Sequence, residues 1–262
     1  MISVFDVKSI ANGIAGRGAL PGALIIGAQK CGTSSLFHYL AQHPGINTGV
    51  SKEVHYFDLH FRRGTFWYKG QFRRFQGRLV LDATPYYLFH PLAAKRASRL
   101  LPDAKVIVLL REPVARAFSH YQHERAKGRE QLSFEDAIAA ESKRIGDSDQ
   151  ALAEGRIAIS HAHQHFSYFR RGLYADQIER WRACYPSDRF LFLRAEDLFA
   201  APQQVFHQTC TFLGVEPIAL TDTAARNQRS YDAMNPETNA QLSELYNEPN
   251  TRLAKLTGIS WP

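Results

Sequence analysis

The feature that most constrains the fold is a short glycine-bounded loop that joins a strand-like run to a helix-like run. Residues 23–26 form an apolar run of strand length, and residues 34–41 repeat their apolar positions at helical spacing. Between them lies the loop Gly27-Ala28-Gln29-Lys30-Cys31-Gly32-Thr33-Ser34. A strand, a tight turn and a helix start that meet at one point are typical of an α/β domain that binds an anion at a helix N-terminus.

This loop supplies the groups that a phosphate or a sulfate needs. The first backbone N–H groups of a helix have no intrahelical partner, and the helix dipole adds positive charge at the same place. Lys30 adds a full charge, and hydroxyl donors follow at Thr33, Ser34 and Ser35. In the ATP-binding loop G-x-x-x-x-G-K-[ST] the lysine follows the second glycine, whereas here Lys30 precedes Gly32. This placement points away from a kinase, although a polar turn capped by Ser and Thr would have the same residues.

Strand-like runs recur at residues 79–82, 105–110 and 189–193, with helical periodicity or turn residues between them. The alternation predicts parallel strands joined by helical crossovers, which is an α/β fold. At 262 residues the chain is long enough for one sizeable core. We therefore predict an N-terminal extension, residues 1–20, followed by a single domain, residues 21–262.

The segment 131–165 is less regular and is predicted to be an insertion on the substrate side. The residues after Ser133 indicate a helix, and residues 146–149 indicate a polar loop. Farther along, residues 236–246 predict an amphipathic helix. Four histidines, at positions 120, 123, 161 and 163, have no acidic or cysteine partners at a recognised spacing, so no metal site is predicted.

Charge and cysteine content narrow the classes of ligand and compartment. The net charge of +7 and the pI of about 9.4 fit an anionic ligand such as a nucleotide, a sulfated or carboxylated glycan or a nucleic acid. They fit a solvated basic surface equally well. Three cysteines are an odd number, which argues against a disulfide framework. The first 20 residues lack a long apolar run, so we expect a soluble, cytoplasmic protein without a membrane anchor.

A second anion position is predicted beyond the apolar run 106–110. Arg111 leaves the carboxyl end of this strand, where open α/β sheets bind their ligands. Pro113 suits the first turn of a helix that carries Ser119. An arginine fork and a hydroxyl form a pocket for a second phosphate. The alternatives are a surface arginine and a salt bridge from Arg111 to Glu112 or Glu124.

Several further motifs occur with the loop in one fixed order. They are Lys52-Glu53-Val54-His55-Tyr56-Phe57, Thr84-Pro85-Tyr86-Tyr87, the stretch from Val108 to Tyr121, Gly172-Leu173-Tyr174-Ala175 and Leu193-Arg194-Ala195-Glu196-Asp197-Leu198. From residue 21 to residue 261 this order resembles the sulfotransferase family. The resemblance is strongest to the sulfotransferase domains of the heparan sulfate N- and 3-O-sulfotransferases and their bacterial relatives.

This resemblance implies a P-loop-like, three-layer α/β/α domain with a central parallel sheet. It implies that 3′-phosphoadenosine 5′-phosphosulfate (PAPS) is the donor and adenosine 3′,5′-bisphosphate (PAP) the product. The residues implied to hold the 5′-phosphosulfate are Lys30, Cys31, Gly32, Thr33, Ser34 and Ser35. Arg111 and Ser119 are implied to hold the 3′-phosphate, and Arg229 and Ser230, in a late basic loop, to close the nucleotide site. No metal is expected, because a sulfuryl group carries less charge than a phosphoryl group.

Lys30, Glu53 and His55 are the predicted catalytic residues. Lys30 and the loop N–H groups stabilise the charge that develops on the leaving phosphate. The resemblance implies that Glu53 is the base that deprotonates the acceptor, with Lys52 biasing its ionisation, and His55 is the competing candidate. Both side chains share a face if this stretch is extended. A surface Glu53 paired with Lys52 is the structural alternative.

We therefore predict a sulfotransferase that moves a sulfuryl group to a hydroxyl or an amine of a carbohydrate or a small metabolite, with no nucleic-acid or membrane partner. The alternatives are a P-loop kinase that uses ATP and magnesium, and a basic nucleic-acid-binding protein. The heparan 3-O-sulfotransferases have a lysine at the position of Ala83, which puts heparan sulfate in question as the acceptor. The loops 58–75 and 131–165 are expected to form the acceptor pocket, and neither the acceptor nor the oligomeric state follows from the sequence.

Overall fold

The computed structural model describes residues 4–224, 226 and 233–261 and shows an α/β architecture. The strands are β1 Ala23–Gly27, β2 Ile46–Asn47, β3 Leu79–Ala83, β4 Lys105–Leu110 and β5 Phe190–Arg194. The α-helices are α1 Val4–Ile14, α2 Thr33–Ala41, α3 Thr65–Gly70, α4 Ala93–Leu100, α5 Pro113–Ala126, α6 Phe134–Ile145, α7 Ser148–Ala153, α8 His161–His165, α9 Tyr174–Arg182, α10 Ala195–Ala200, α11 Pro202–Leu213 and α12 Pro236–Thr257. A short 3₁₀ turn at Arg170–Gly172 precedes α9.

Most of the predicted secondary structure is confirmed, and one predicted loop is partly wrong. Each of the four predicted strands is present within one residue of its predicted bounds, whereas β2 has only two residues and no periodicity to detect. Ser133 caps α6 as predicted, because its hydroxyl accepts the Asp136 N–H at 3.1 Å. The polar loop predicted at residues 146–149 is partly wrong, since α7 begins at Ser148. The helix predicted at 236–246 continues to Thr257, past Pro249.

Within the described residues the sheet has five parallel strands in the order β2-β3-β1-β4-β5. β1 is the central strand, between β3 and β4, and all five of its residues are buried. The run 106–110 of β4 is buried throughout, as expected for a strand that is covered on both faces. Because all the strands run in the same direction, the chain leaves β1, β3 and β4 along one edge of the sheet.

Helices cover both faces of this sheet. The connection from β1 to β2, through α2, crosses the sheet in the opposite direction to the connection from β3 to β4, through α4. Since parallel crossovers are right-handed, α2 and α4 lie on opposite faces. α2 contacts α11, while α4 contacts α9, which in turn contacts α12. This arrangement confirms the predicted three-layer α/β/α domain.

The N-terminal helix α1 packs closely on α3. Asp6 is buried between them and accepts hydrogen bonds from the Trp67 indole N–H, at 2.9 Å, and from Arg63. A side chain at Gly70 would lie 1.8 Å from the carbonyl oxygen of Ser9, so the two backbones approach as closely as glycine allows. The predicted boundary between residues 20 and 21 stays a prediction, although α1 packs directly on α3.

No helix of the described ranges is both long enough and apolar enough to cross a bilayer.

The contact between α1 and α3 predicts a stability change for Gly70→Ala. The added methyl group clashes with the Ser9 backbone, so we expect the free energy of unfolding to fall by about 1–3 kcal/mol, as is typical of overpacking. Urea denaturation followed by circular dichroism measures this change. Ile14→Ala, which alters an exposed side chain of α1, is the control and should have little effect. Equal stability of Gly70→Ala and the unmodified protein would contradict the contact.

Candidate active site

A cavity of about 800 Å³ opens at the edge of the sheet where β1, β3 and β4 end. Its walls come chiefly from the loop after β1, the segment 52–55, the residues after β3, and Arg111 together with the middle and second half of α5. Eight of the predicted site residues line it: Lys30, Gly32, Thr33, Ser34, Glu53, His55, Arg111 and Ser119. The structure therefore brings together residues that are up to 89 positions apart in the sequence, from Lys30 to Ser119.

The loop after β1 leads directly into the N-terminus of α2. Gly32 precedes the helix with φ +83°, a left-handed conformation that favours glycine. No side chain of the described residues caps α2, so its first N–H groups are available to an anion. Lys30 also has a left-handed backbone, with φ +71°, and its side chain lines the cavity at this end. The predicted anion position at the start of α2 therefore has the expected geometry.

Two predicted cofactor residues, Cys31 and Ser35, are fully buried and do not line the cavity. Burial raises the pKa of the Cys31 thiol to about 11, so the sulfur stays protonated and unreactive at neutral pH. The Ser35 hydroxyl accepts the backbone N–H of Arg226 at 2.9 Å. The late basic segment thus reaches the start of α2 through Arg226, which also lines the cavity.

Arg229 and Ser230, predicted to close the nucleotide site, lie outside the described residues. Their assignment stays a prediction.

The predicted second anion position combines Arg111, just before α5, with Ser119, in the middle of that helix. Of the two carboxylates proposed as salt-bridge partners, Glu112 instead caps α5 by accepting two backbone N–H groups, and Glu124 pairs with Arg129 at 2.9 Å. In the described part of the chain, Arg111 forms a salt bridge with neither of them. Its backbone is held by the Tyr174 hydroxyl, which donates to the Arg111 carbonyl at 3.0 Å. Arg111 and Ser119 therefore face the same cavity with their side chains open to a ligand.

Glu53 and His55 meet in the cavity, but not in the way that the sequence predicted. Both residues have a left-handed backbone, with φ of 63° and 55°, so the stretch is not extended at these two positions. The segment is tied to the end of β3 by the Glu53 N–H, which donates to the Ala83 carbonyl at 3.0 Å. A Glu53 carboxylate oxygen nevertheless lies 3.6 Å from Nε2 of His55.

Charges around Glu53 and His55 fix their protonation states. Nδ1 of His55 lies 2.8 Å from the buried Asp58 carboxylate, and Nζ of Lys52 lies 2.6 Å from Glu53. Burial opposes the charge of His55, but Asp58 and Glu53 outweigh it and raise the pKa of His55 well above its ordinary value. Burial also opposes the charge of Glu53, but His55 and Lys52 lower the pKa of that carboxyl. At neutral pH the group is therefore a carboxylate beside an imidazolium.

Several residues of the cavity wall were not predicted from the sequence. Asp58, which contacts His55 but does not itself line the cavity, follows His55 by three positions and has no motif of its own. The second half of α5, the residues directly after it, α8 and the 3₁₀ turn before α9 supply Gln122, His123, Glu124, Lys127, Arg129, Gln164, His165 and Arg171. These elements lie close together only in the fold, so sequence spacing carries no signal for them. The predicted insertion 131–165 contributes through α8.

The protein family to which the chain belongs is identified by comparison with known proteins. A family model described as "Sulfotransferase domain" matches residues 20–252. The chain belongs to the sulfotransferase family. It is accordingly a transferase, and the resemblance seen in its sequence motifs is confirmed.

Individual sulfotransferases agree with this assignment. A sulfotransferase from Alicyclobacillus acidocaldarius, known from a crystal structure, is 31% identical in sequence to this chain. The two structures superpose with a TM-score of 0.78, over 93% of this chain and 98% of that one. Heparan sulfate glucosamine 3-O-sulfotransferase 6 of Mus musculus is 33% identical over 78% of this chain. This sulfotransferase chain spans 55% of the length of that relative. Mouse sulfotransferase SULT7A1, solved with PAP, shares the fold at 14% identity, with a TM-score of 0.54 over 95% of this chain and 90% of that one.

Across residues 4–224, 226 and 233–261, no group of three or more His, Cys, Asp or Glu side chains is arranged to hold a metal ion. The prediction that no metal takes part stays a prediction.

The environment of His55 predicts a measurable pKa change on Asp58→Asn. This variant removes the negative charge nearest to the ring, so the protonated form loses stabilisation and the pKa of His55 should fall. Titration of the His55 ring signals by NMR measures it. Asp103→Asn, at an exposed carboxylate far from the cavity, is the matched control and should leave the pKa of His55 unchanged. A His55 pKa that stays equally high in Asp58→Asn would contradict the proposed cause.

Proposed function

We propose that this sulfotransferase transfers a sulfuryl group from PAPS to a hydroxyl or an amine of a carbohydrate or a small-metabolite acceptor. The observation that carries the proposal is one cavity that brings together the start of α2 with Lys30, the pair Arg111 and Ser119, and the Glu53 carboxylate. A mouse sulfotransferase of the same fold was solved with PAP, which supports the choice of donor. The similarity to heparan sulfate 3-O-sulfotransferases supports a carbohydrate acceptor.

The two anion positions match the two phosphate-bearing ends of PAPS. The 5′-phosphosulfate would bind at the N-terminus of α2, where unpaired N–H groups, Lys30 and Thr33 converge. The 3′-phosphate would bind the guanidinium fork of Arg111, just before α5, and the hydroxyl of Ser119, in the middle of that helix. ATP has no 3′-phosphate, so the second position favours PAPS over ATP.

Sulfuryl transfer follows the logic of phosphoryl transfer, with the attacking and leaving oxygens in line. The acceptor oxygen or nitrogen forms a bond to sulfur, the bond from sulfur to the phosphate oxygen breaks, and PAP leaves with the additional negative charge. The proton of the acceptor passes to a base. Lys30 and the N–H groups of α2 stabilise the charge on the leaving phosphate, and they are in place before the reaction begins.

Glu53 suits the role of the base better than His55. The raised pKa of His55 means that its ring already carries a proton at neutral pH and has no lone pair to accept another. Glu53 is ionised, but its contact with Lys52 makes it a weak base in the free protein. An acceptor that displaces Lys52 from Glu53 would raise the basicity of the carboxylate as it binds. His55, held by Asp58, would position Glu53 through its charge.

Basic residues of the cavity wall indicate the class of acceptor but not its identity. The cavity wall carries Lys127 and Arg129 near the end of α5, which suits an acceptor with anionic groups. Ala83 stands where the heparan 3-O-sulfotransferases have a lysine, so the acceptor need not be heparan sulfate. We propose a cytoplasmic location from the sequence features alone.

The donor assignment predicts a nucleotide preference that depends on Arg111. We expect the protein to bind PAP more tightly than AMP, because only PAP has a 3′-phosphate. In Arg111→Ala this preference should fall roughly tenfold or more, since a charge-assisted hydrogen bond to phosphate is lost. Isothermal titration calorimetry measures both affinities. Arg99→Ala, an exposed residue of α4 outside the cavity, is the matched control. Equal affinity of the unmodified protein for PAP and AMP would overturn the proposed donor.

The base assignment predicts the behaviour of Glu53→Gln. The amide cannot accept the proton, so transfer of labelled sulfate from PAPS to an acceptor panel should fall on the order of a hundredfold or more. PAP affinity should remain, because the 3′-phosphate position is unaffected. Glu244→Gln, at an exposed position of α12, is the control. Full activity of Glu53→Gln together with inactivity of His55→Ala would move the role of the base to His55.

A further inference from the structure

Arg171 is a buried charge in the wall of the cavity and has no role in the scheme above. Only 3% of its surface is exposed, and it lies on the 3₁₀ turn Arg170–Gly172, which leads into α9. Burial lowers the pKa of its guanidinium to about 10, so it still carries its charge at neutral pH. A buried guanidinium is costly to leave without a counter-charge.

Among the described residues, the hydrogen-bond partners of this guanidinium are all neutral. It donates to the side-chain oxygen of Gln29 and to the carbonyls of Gln164, at 2.6 Å, and His163, at 3.4 Å. Its Nε has no partner, and it forms no salt bridge with a carboxylate of the described residues. The adjacent Arg170, in contrast, is paired with Asp149. Arg171 therefore has no carboxylate of the described residues in direct contact, although Glu124 and Glu141 act on its charge from a distance. The cavity is where a contacting counter-ion could bind.

Two aromatic rings and their hydrogen-bonded neighbours fix the position of Arg171. Its guanidinium lies over the rings of Tyr86, at 4.8 Å, and Phe89, at 5.1 Å. The Tyr86 hydroxyl lies 2.6 Å from Nδ1 of His163, whose Nε2 lies 2.6 Å from Asp149. These contacts hold the cation in place before a ligand arrives, as a preorganised binding site requires.

The same contacts link the cation to the donor loop on one side and, through Tyr86, to the neighbourhood of His55 and the proposed base. Gln29, which accepts from Arg171, directly precedes Lys30 in the loop. The ring of Tyr86, beneath Arg171, lies 6.5 Å from the ring of His55. An anionic group held by Arg171 would therefore sit close to the point where the donor and the acceptor meet.

We infer that Arg171 is the centre of an additional oxyanion-binding subsite in the reaction cavity, which takes a sulfonate or carboxylate oxygen of a bound reactant. The inference rests on the proposed function, because it assumes that the cavity holds PAPS and an acceptor. The oxyanion comes either from the sulfuryl group of the donor or from an anionic substituent of the acceptor. Two binding measurements on the Arg171→Gln variant distinguish these sources.

The first measurement compares PAPS with PAP by calorimetry, in the absence of acceptor. If the subsite takes the sulfuryl group, Arg171→Gln should bind PAPS roughly tenfold or more weakly than the unmodified protein does, with unchanged affinity for PAP. The second measurement titrates PAP-saturated protein with glucuronate and with glucose, which has no charge. If the subsite takes an acceptor anion, the preference for glucuronate should be lost in Arg171→Gln.

Controls separate the subsite from a loss of structure. Arg170→Gln makes the same change at the next residue, which is already paired with Asp149 and does not line the cavity, and it should keep both preferences. Unchanged PAP affinity shows that Arg171→Gln is folded. If Arg171→Gln does not fold, Arg171→Lys replaces it, because the lysine keeps the charge without the planar fork and should show a partial loss.

The remaining outcomes overturn the inference. Arg171→Gln that matches the unmodified protein in both measurements would show that the guanidinium binds no reactant. Gln29→Ala that reproduces the whole loss would show that Arg171 acts only by holding Gln29. Failure of the unmodified protein itself to prefer PAP over AMP is a separate result, which overturns the proposed donor and the subsite with it.

Discussion

The site depends on one constraint, which is that the first N–H groups of α2 have no partner within the helix. β1 ends at Gly27, the loop turns, and Gly32 takes a left-handed conformation so that α2 starts at Thr33. This geometry aims backbone donors at the edge of the sheet where β3 and β4 also end. The cationic side chains Lys30 and Arg111 lie near this helix start, because the residues that follow parallel strands all lie along the same edge of the sheet.

Charge is distributed unevenly within the cavity. Cationic side chains line both anion positions, and the carboxylates that enter the cavity are each held by cations. Glu53 is held by Lys52 and His55, and Glu124 is held by Arg129, with the His165 ring 3.4 Å away. Burial works against both carboxylates, but these neighbours lower the pKa of each of them. The cavity therefore holds ionised acids while staying attractive to anionic ligands.

Much of this arrangement could be predicted from the sequence, and the reasons are local. The strands 23–26 and 105–110 are continuous apolar runs, and the helix starts at Ser133 and Pro113 have capping residues that identify them. Lys30, Arg111 and Ser119 could be placed in one site because they follow the ends of parallel strands. Their physical proximity comes from topology, which the alternation of strands and helices already indicates.

The rest could not be predicted, because it depends on contacts between distant elements. Nothing in the spacing of Glu53 and His55 indicates left-handed backbones, since non-glycine residues rarely adopt them. Asp58 and Arg171 have no motif, and each gains its meaning from what the fold packs against it. Two residues are too few for periodicity, so β2 gave no signal. Arg229 and Ser230 stay predictions, as do the roles assigned to each residue of the cavity.

One hydroxyl connects the two ends of the proposed nucleotide site. Tyr174 is buried at the start of α9, donates to the Arg111 carbonyl at 3.0 Å and lies 3.8 Å from Sγ of Cys31 in the loop. Because one rigid ring contacts both Arg111 and the loop after β1, it helps to fix the distance between the two proposed anion positions. Nucleotides whose charged groups are spaced differently would occupy only one of the two positions at a time, so nucleotide selection would depend on distance as well as on charge.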